Sequence, residues 1–73
     1  MKKRFIGWHP DDDFITDIHR TVQRVMAEIE DMLNEPYAED PSTGEVFTRR
    51  SEYSPAQLKQ FRVFELIEVA KVE

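Results

Sequence analysis

Residues 11–34 read DDDFITDIHRTVQRVMAEIEDMLN, and the spacing of their apolar side chains decides the fold. Ile15, Ile18, Val22, Val25, Ile29 and Met32 recur at alternating intervals of three and four, and Phe14, Met26 and Leu33 widen the stripe. That period is the signature of an amphipathic helix. It predicts one helix over roughly residues 11–34, about 35 Å long at the rise of a regular helix. One of Asp11, Asp12 and Asp13 supplies the N-cap, and the others oppose the positive end of the helix dipole. Asn34, ahead of Glu35-Pro36, is the expected stop. On the opposite face Arg20 lies near Asp17 and Arg24 near Glu28, pairs that add only tenths of a kcal/mol.

Such a stripe needs a cover, and the flanking segments supply one. Arg4 to His9 reads as a short strand, with Phe5, Ile6 and Trp8 suited to a pleated, half-buried surface and Pro10 ending it. In YAEDPSTGEVFTRR, residues 37–50, a Pro-Ser-Thr-Gly turn separates two short candidate strands, which predicts a hairpin. SPAQLKQF, residues 54–61, carries Ser54 as N-cap, Pro55 at the first helical position and Gln57 as capping-box partner, enough for a turn or two of helix. The tail FRVFELIEVAKV has apolar residues all round a helical wheel, so a strand buried on both faces fits it better; a helix continuing from Ser54 is the alternative. The predicted architecture is therefore α+β: one long amphipathic helix packed on a small, three- or four-stranded, mostly antiparallel sheet. The C-terminal strand is expected at its centre, beside Arg4–His9, in a single domain spanning residues 1–73. The helical stripe would also suit a dimer seam, but the sheet has more need of it, and a monomer is expected.

The chain has 73 residues, no cysteine and a net charge of −5. A chain of this size buries only about 60% of the surface that its unfolded form exposes. Without cysteine there are no disulfides or thiolate metal sites, which fits a cytoplasmic protein. No apolar run has the length of a membrane span, and the apolar stretch after Lys2-Lys3-Arg4 is too short for a signal sequence. The charge is divided unevenly. Residues 1–10 hold three cations and no acid, residues 11–45 have a balance of −9, and residues 46–73 are close to neutral. An acidic middle disfavours unaided binding to duplex nucleic acid and favours a basic protein partner.

No arrangement of residues carries catalysis. His9 with Asp11–Asp13, and Asp17 with His19, offer metal-type ligands close in sequence. Side chains at such spacing on a helix point in different directions, so neither a metal nor any other cofactor is expected. Carboxylates such as Glu28 and Asp31 belong on a solvated helix face, and Ser42, Thr43, Ser51 and Ser54 stand in turns and caps. A non-enzymatic protein is expected. The candidate partner-binding residues are Lys3, Arg4, Trp8 and His9 at the start, with Arg49 and Arg50 beside them if the first and third strands lie close. Trp and Arg are the residue types most enriched at binding hot spots.

The start MKKRFIGWHPDDDF, the length and the overall pattern resemble the small phage-encoded proteins that bind host bacterial RNA polymerase, more narrowly the antiterminators of Xanthomonas-infecting phages. The resemblance implies binding to the N-terminal region of the polymerase β′ subunit near the RNA exit channel. It also implies inhibition of initiation by σ-factor displacement, read-through of terminators, proximity to RNA and a place in the cytoplasm of an infected bacterial host. The alternative is an acidic decoy, in which Asp13, Asp17, Glu28 and Asp31 imitate phosphates and occupy a host nucleic-acid-binding protein; Arg20 and Arg24 interrupt that face.

Overall fold

A computed structural model describes residues 2–72. In chain order the elements are β1 (Phe5–Trp8), α1 (Val22–Leu33), β2 (Pro36–Glu39), β3 (Val46–Thr48), a 3-10 turn (Arg49–Glu52), α2 (Pro55–Leu58) and β4 (Arg62–Glu65). The class is α+β, with one long helix and four strands. The strands do not share one sheet, however: β1 pairs antiparallel with β4, and β2 pairs antiparallel with β3. None of the helices is long and apolar enough to cross a membrane among the described residues.

The helix is half as long as the stripe predicts. It begins after Thr21, whose hydroxyl accepts the Arg24 N–H at 3.2 Å, so Thr21 and none of Asp11–Asp13 is the cap. Residues 11–21 are pulled the other way by β1, whose second edge would otherwise be left with unpaired backbone groups. Phe5 and His19 exchange both of their backbone hydrogen bonds, at 2.7 and 2.9 Å, and the Thr16 N–H donates to the Gly7 carbonyl at 3.0 Å. Thr16 Oγ1 accepts the Gly7 N–H at 2.7 Å. The segment is dense in β-branched residues, which favour this extended course. Asp13 sits in the left-handed region at φ 48°, which breaks any helix there. Asp12 reaches instead to the Tyr53 hydroxyl, which donates to its carboxylate.

β1 therefore lies in the middle, between β4 and the Ile15–His19 segment; β4, expected at the centre, has a neighbour along one edge only. Strand alternation then gives β1 two different faces. Phe5, Gly7 and His9 point towards α1. Val25, Ile29, Met32, Leu33 and Tyr53 form the buried core, and Phe5, Phe14, Leu58, Phe61 and Val63 pack against it. A side chain at Gly7 has no room: a Cβ there would come within 2.8 Å of Val25 and 3.0 Å of Ile29. Glycine is what lets the helix lie this close to the strand. The other half of the stripe stays open, with Ile15 60% and Ile18 61% exposed.

The local signals further along are met. Asn34 closes α1, its N–H donating to the Glu30 and Met32 carbonyls. Ser54, Pro55 and Gln57 form the full capping box of α2. The β2–β3 turn is held by Asp40 Oδ1, which accepts from the Ser42 hydroxyl at 2.7 Å and the Ser42 N–H at 2.9 Å. Those bonds to the carboxylate, the hydroxyl's foremost, hold the Asp40 pKa below its usual value. Gly44 completes the turn at φ 75°. The tail is a strand over Arg62–Glu65, not a helix. It is not buried on both faces, because α1 covers only one side and a chain this short has no second layer to spare.

Candidate partner-binding site

The face of β1 turned away from α1 carries Arg4, Ile6 and Trp8. The register of β4 sets Leu66 across from Arg4, Phe64 across from Ile6, and Arg62 across from Trp8. Trp8 and Phe64 meet diagonally, their ring centroids 5.8 Å apart and the planes tilted by 57°, within the range in which aromatic pairs attract. Ile15 extends the patch from the other side through its bridge to Trp8. None of these side chains belongs to the core cluster. Phe64 is 44% exposed and Leu66 43%.

Two guanidinium groups flank this apolar strip. Arg4 Nη1 donates to the Lys3 carbonyl at 3.2 Å. Arg62 Nη1 donates to the carbonyls of Lys59, at 2.8 Å, and Phe61, at 3.2 Å, where α2 ends. Among the described residues neither arginine has a carboxylate at ion-pair distance. The site is thus an aromatic pair set between two cations without an ion-pair partner among the described residues, on a face that no further described element covers and where Arg4, Ile6 and Trp8 are half-buried by their neighbours. A matching surface would offer an apolar group for the rings and acids or phosphates for the guanidinium groups.

Of the residues expected at the contact surface, Arg4 and Trp8 lie on this face. Lys3 is beside it, its ammonium 4.0 Å from Glu65. His9 does not belong to it. The His9 side chain has no exposed surface, and its ring lies edge-on to Tyr53 and Phe61 with centroids 5.3 and 4.6 Å away. Its Nε2 lies 2.9 Å from the Gln57 carbonyl oxygen and its Nδ1 accepts the Asp11 N–H at 3.2 Å. Those partners fit a neutral ring with its proton on Nε2, a satisfied core histidine. Arg49 and Arg50 stand elsewhere, because β3 pairs with β2 and not with β1. Arg49 lies 3.8 Å from Glu35, and Arg50 2.5 Å from Glu30, so both are committed to acids at the C-terminal half of α1 and the loop after it. Glu28, expected to pair with Arg24, instead accepts from the Asp17 N–H through both oxygens and lies 2.7 Å from His19 Nε2, tying the Ile15–His19 segment to α1.

Sequence reasoning missed Arg62 and Phe64. Their place beside Arg4 and Trp8 follows from an antiparallel register between residues more than fifty positions apart, which no local pattern encodes. The available signal was the composition of RVFE itself, a cation and an aromatic in a strand-forming run like that of RFIGW.

Fold and site together define a small α+β protein with one clothed and one bare sheet face. No protein-family model, no curated protein and no solved structure matches the chain.

Proposed function

We propose that the chain is a phage-encoded regulator of host bacterial RNA polymerase that docks through the bare face of β1 and β4. The observation that carries the reading is the Trp8–Phe64 pair between Arg4 and Arg62, an anchor of the residue types that dominate protein–protein binding energy. The resemblance of the chain's start to polymerase-binding phage proteins supplies the partner. Within that reading the docking site is the N-terminal region of β′ near the RNA exit channel. Occupying it disfavours σ-factor engagement, inhibiting initiation, and promotes read-through of terminators. The acidic α1 and the cationic start give the surface two signs, which suits a position between protein and RNA.

The test is a pull-down of purified polymerase with the double variant Arg4→Glu, Trp8→Ala. Both side chains lie outside the core cluster, so the variant keeps its fold by circular dichroism and loses at least tenfold in affinity. Undiminished binding by the folded variant would overturn the proposal. Salt separates it from the acidic decoy. A decoy relying on Asp13, Asp17, Glu28 and Asp31 loses affinity steeply as salt rises, whereas an aromatic anchor declines gently.

A further inference from the structure

We infer that residues 64–72 form the seam of a homodimer, pairing antiparallel with the same residues of a second copy. Among the described residues β4 has β1 along one edge only. The Leu66 N–H donates to the Arg4 carbonyl at 2.8 Å, so the backbone groups of Leu66 face β1 and, by alternation, those of Glu65 face the open edge. Beyond Leu66 the chain carries apolar side chains in water: Ile67 is 75% exposed, Val69 94% and Val72 100%. From Phe61 to Val72 there is no Gly, Pro, Asn, Asp or Ser to turn the chain back onto its own domain. Neither a bulge nor a proline blunts the edge, which leaves a template for another strand.

The sequence itself selects a second copy as that strand. In a symmetric antiparallel pair the two-fold axis passes between one residue and its own counterpart, because directly opposed side chains share a face. With Glu68 on the axis, Ile67 faces the partner's Val69 and Glu65 faces the partner's Lys71. On the opposite side of the sheet Leu66 faces the partner's Ala70, and Phe64 faces the partner's Val72. Each of these four pairings occurs twice, and every one is apolar with apolar or acid with base; such pairs are the unit of sheet stabilisation. The two glutamates at the axis set like charges against one another, a cost lessened by their place on an open side of the sheet, where water and salt screen them. Placing Ile67 on the axis sets Lys71 against Val63, and placing Val69 there sets it against Ile67. With Glu65 on the axis, Val69 and Val72 run past the start of the partner's β4 towards α2 and meet no strand. The seam lies at the edge of β4, so it leaves the Trp8–Phe64 face free and continues it across the axis. The monomer expected from the sequence concerned the α1 stripe, whose second half is indeed packed on the domain's own strands; the tail is a different seam.

Sedimentation equilibrium of the full chain, without polymerase, tests this independently of the proposed function. The mass is expected to rise from the 8.7 kDa of one chain towards double that value as concentration approaches about 1 mM, the range where small interfaces assemble. Glu65→Lys and Lys71→Glu each set like charges against one another at two places, so each variant alone stays at the monomer mass. Mixed in equal amounts they restore both ion pairs, and the dimer returns. A wild-type mass fixed at one chain would overturn the inference. So would dimerisation of either variant alone, or a mixture that stays monomeric. All the altered side chains are exposed, and circular dichroism shows whether each variant is folded.

Discussion

The two faces of β1 and its flanking residues have opposite fates although they alternate along six positions, Arg4 to His9. Phe5, Gly7 and His9 look inward, where Gly7 has no space for a methyl group and His9 has no exposed surface. Arg4, Ile6 and Trp8 look outward, where Arg62, Phe64, Leu66 and Ile15 join them and, among the described residues, no second layer covers them. One helix of twelve residues can clothe one side of this sheet and no more. What a larger domain would bury beneath further structure stays available here to another macromolecule.

That contrast can be broken most severely from the inside. Ile29→Ala removes the centre of the helix–sheet contact and is expected to destabilise the fold by about 2–5 kcal/mol in chemical denaturation, whereas Ile18→Ala on the open half of the stripe changes stability by at most about 0.5 kcal/mol. Similar losses at both positions would mean that the stripe is packed along its whole length. Next in size is Gly7→Ala. The new methyl group meets Val25, Thr16 and Ile29 at 2.8–3.0 Å, and the expected loss is about 1–3 kcal/mol. Thr21→Ala should follow at about 1 kcal/mol, with Asp11→Ala near zero; the reverse order would restore the longer helix.

A smaller effect comes from pH. Burial, and then the hydrogen bond and charge of Asp12, push the Tyr53 pKa up to about 12 from its ordinary value of 10.0. The folded state therefore keeps this proton after the unfolded state has lost it. The contribution to stability is fully present below about pH 10 and is lost as pH rises from there towards 12. Asp12→Asn removes the charge and should bring the tyrosinate absorbance transition to lower pH; an unmoved transition would leave burial as the sole cause. A modest effect on stability belongs to the bare face, where Phe64→Ser removes the aromatic pair and costs about 0.5–1.5 kcal/mol. The same substitution is expected to weaken the proposed binding to polymerase, a separation that an ordinary core residue would not show.

What the residues disclosed in advance was mostly local. The capping box at Ser54–Gln57 and the Pro41–Gly44 turn depend on side chains that bond to neighbouring backbone, and the stop at Asn34 and the strand at β1 on the residue types of their own short stretches. The helix start was not legible, because Ile15 and Ile18 hold the right spacing for a stripe while the backbone of Thr16 and His19 beside them is claimed by Gly7 and Phe5 of β1. The site was half legible. Arg4 and Trp8 stand together in sequence, but Arg62 and Phe64 reach them only through strand pairing. His9, expected at the contact surface, is a core residue whose ring is accounted for by the Gln57 carbonyl, 48 positions on.

The bare face, and Trp8 above all, is the proposed landing place of the partner. Trp8 is the sole tryptophan, so fluorotryptophan labelling places one 19F reporter in the chain. Titration with polymerase is expected to shift or broaden that resonance in step with complex formation, with the signal of the Gly7-facing core, read from the Tyr53 ring, unchanged in position. A complex that forms while the Trp8 resonance keeps its free-state frequency and width would contradict the account.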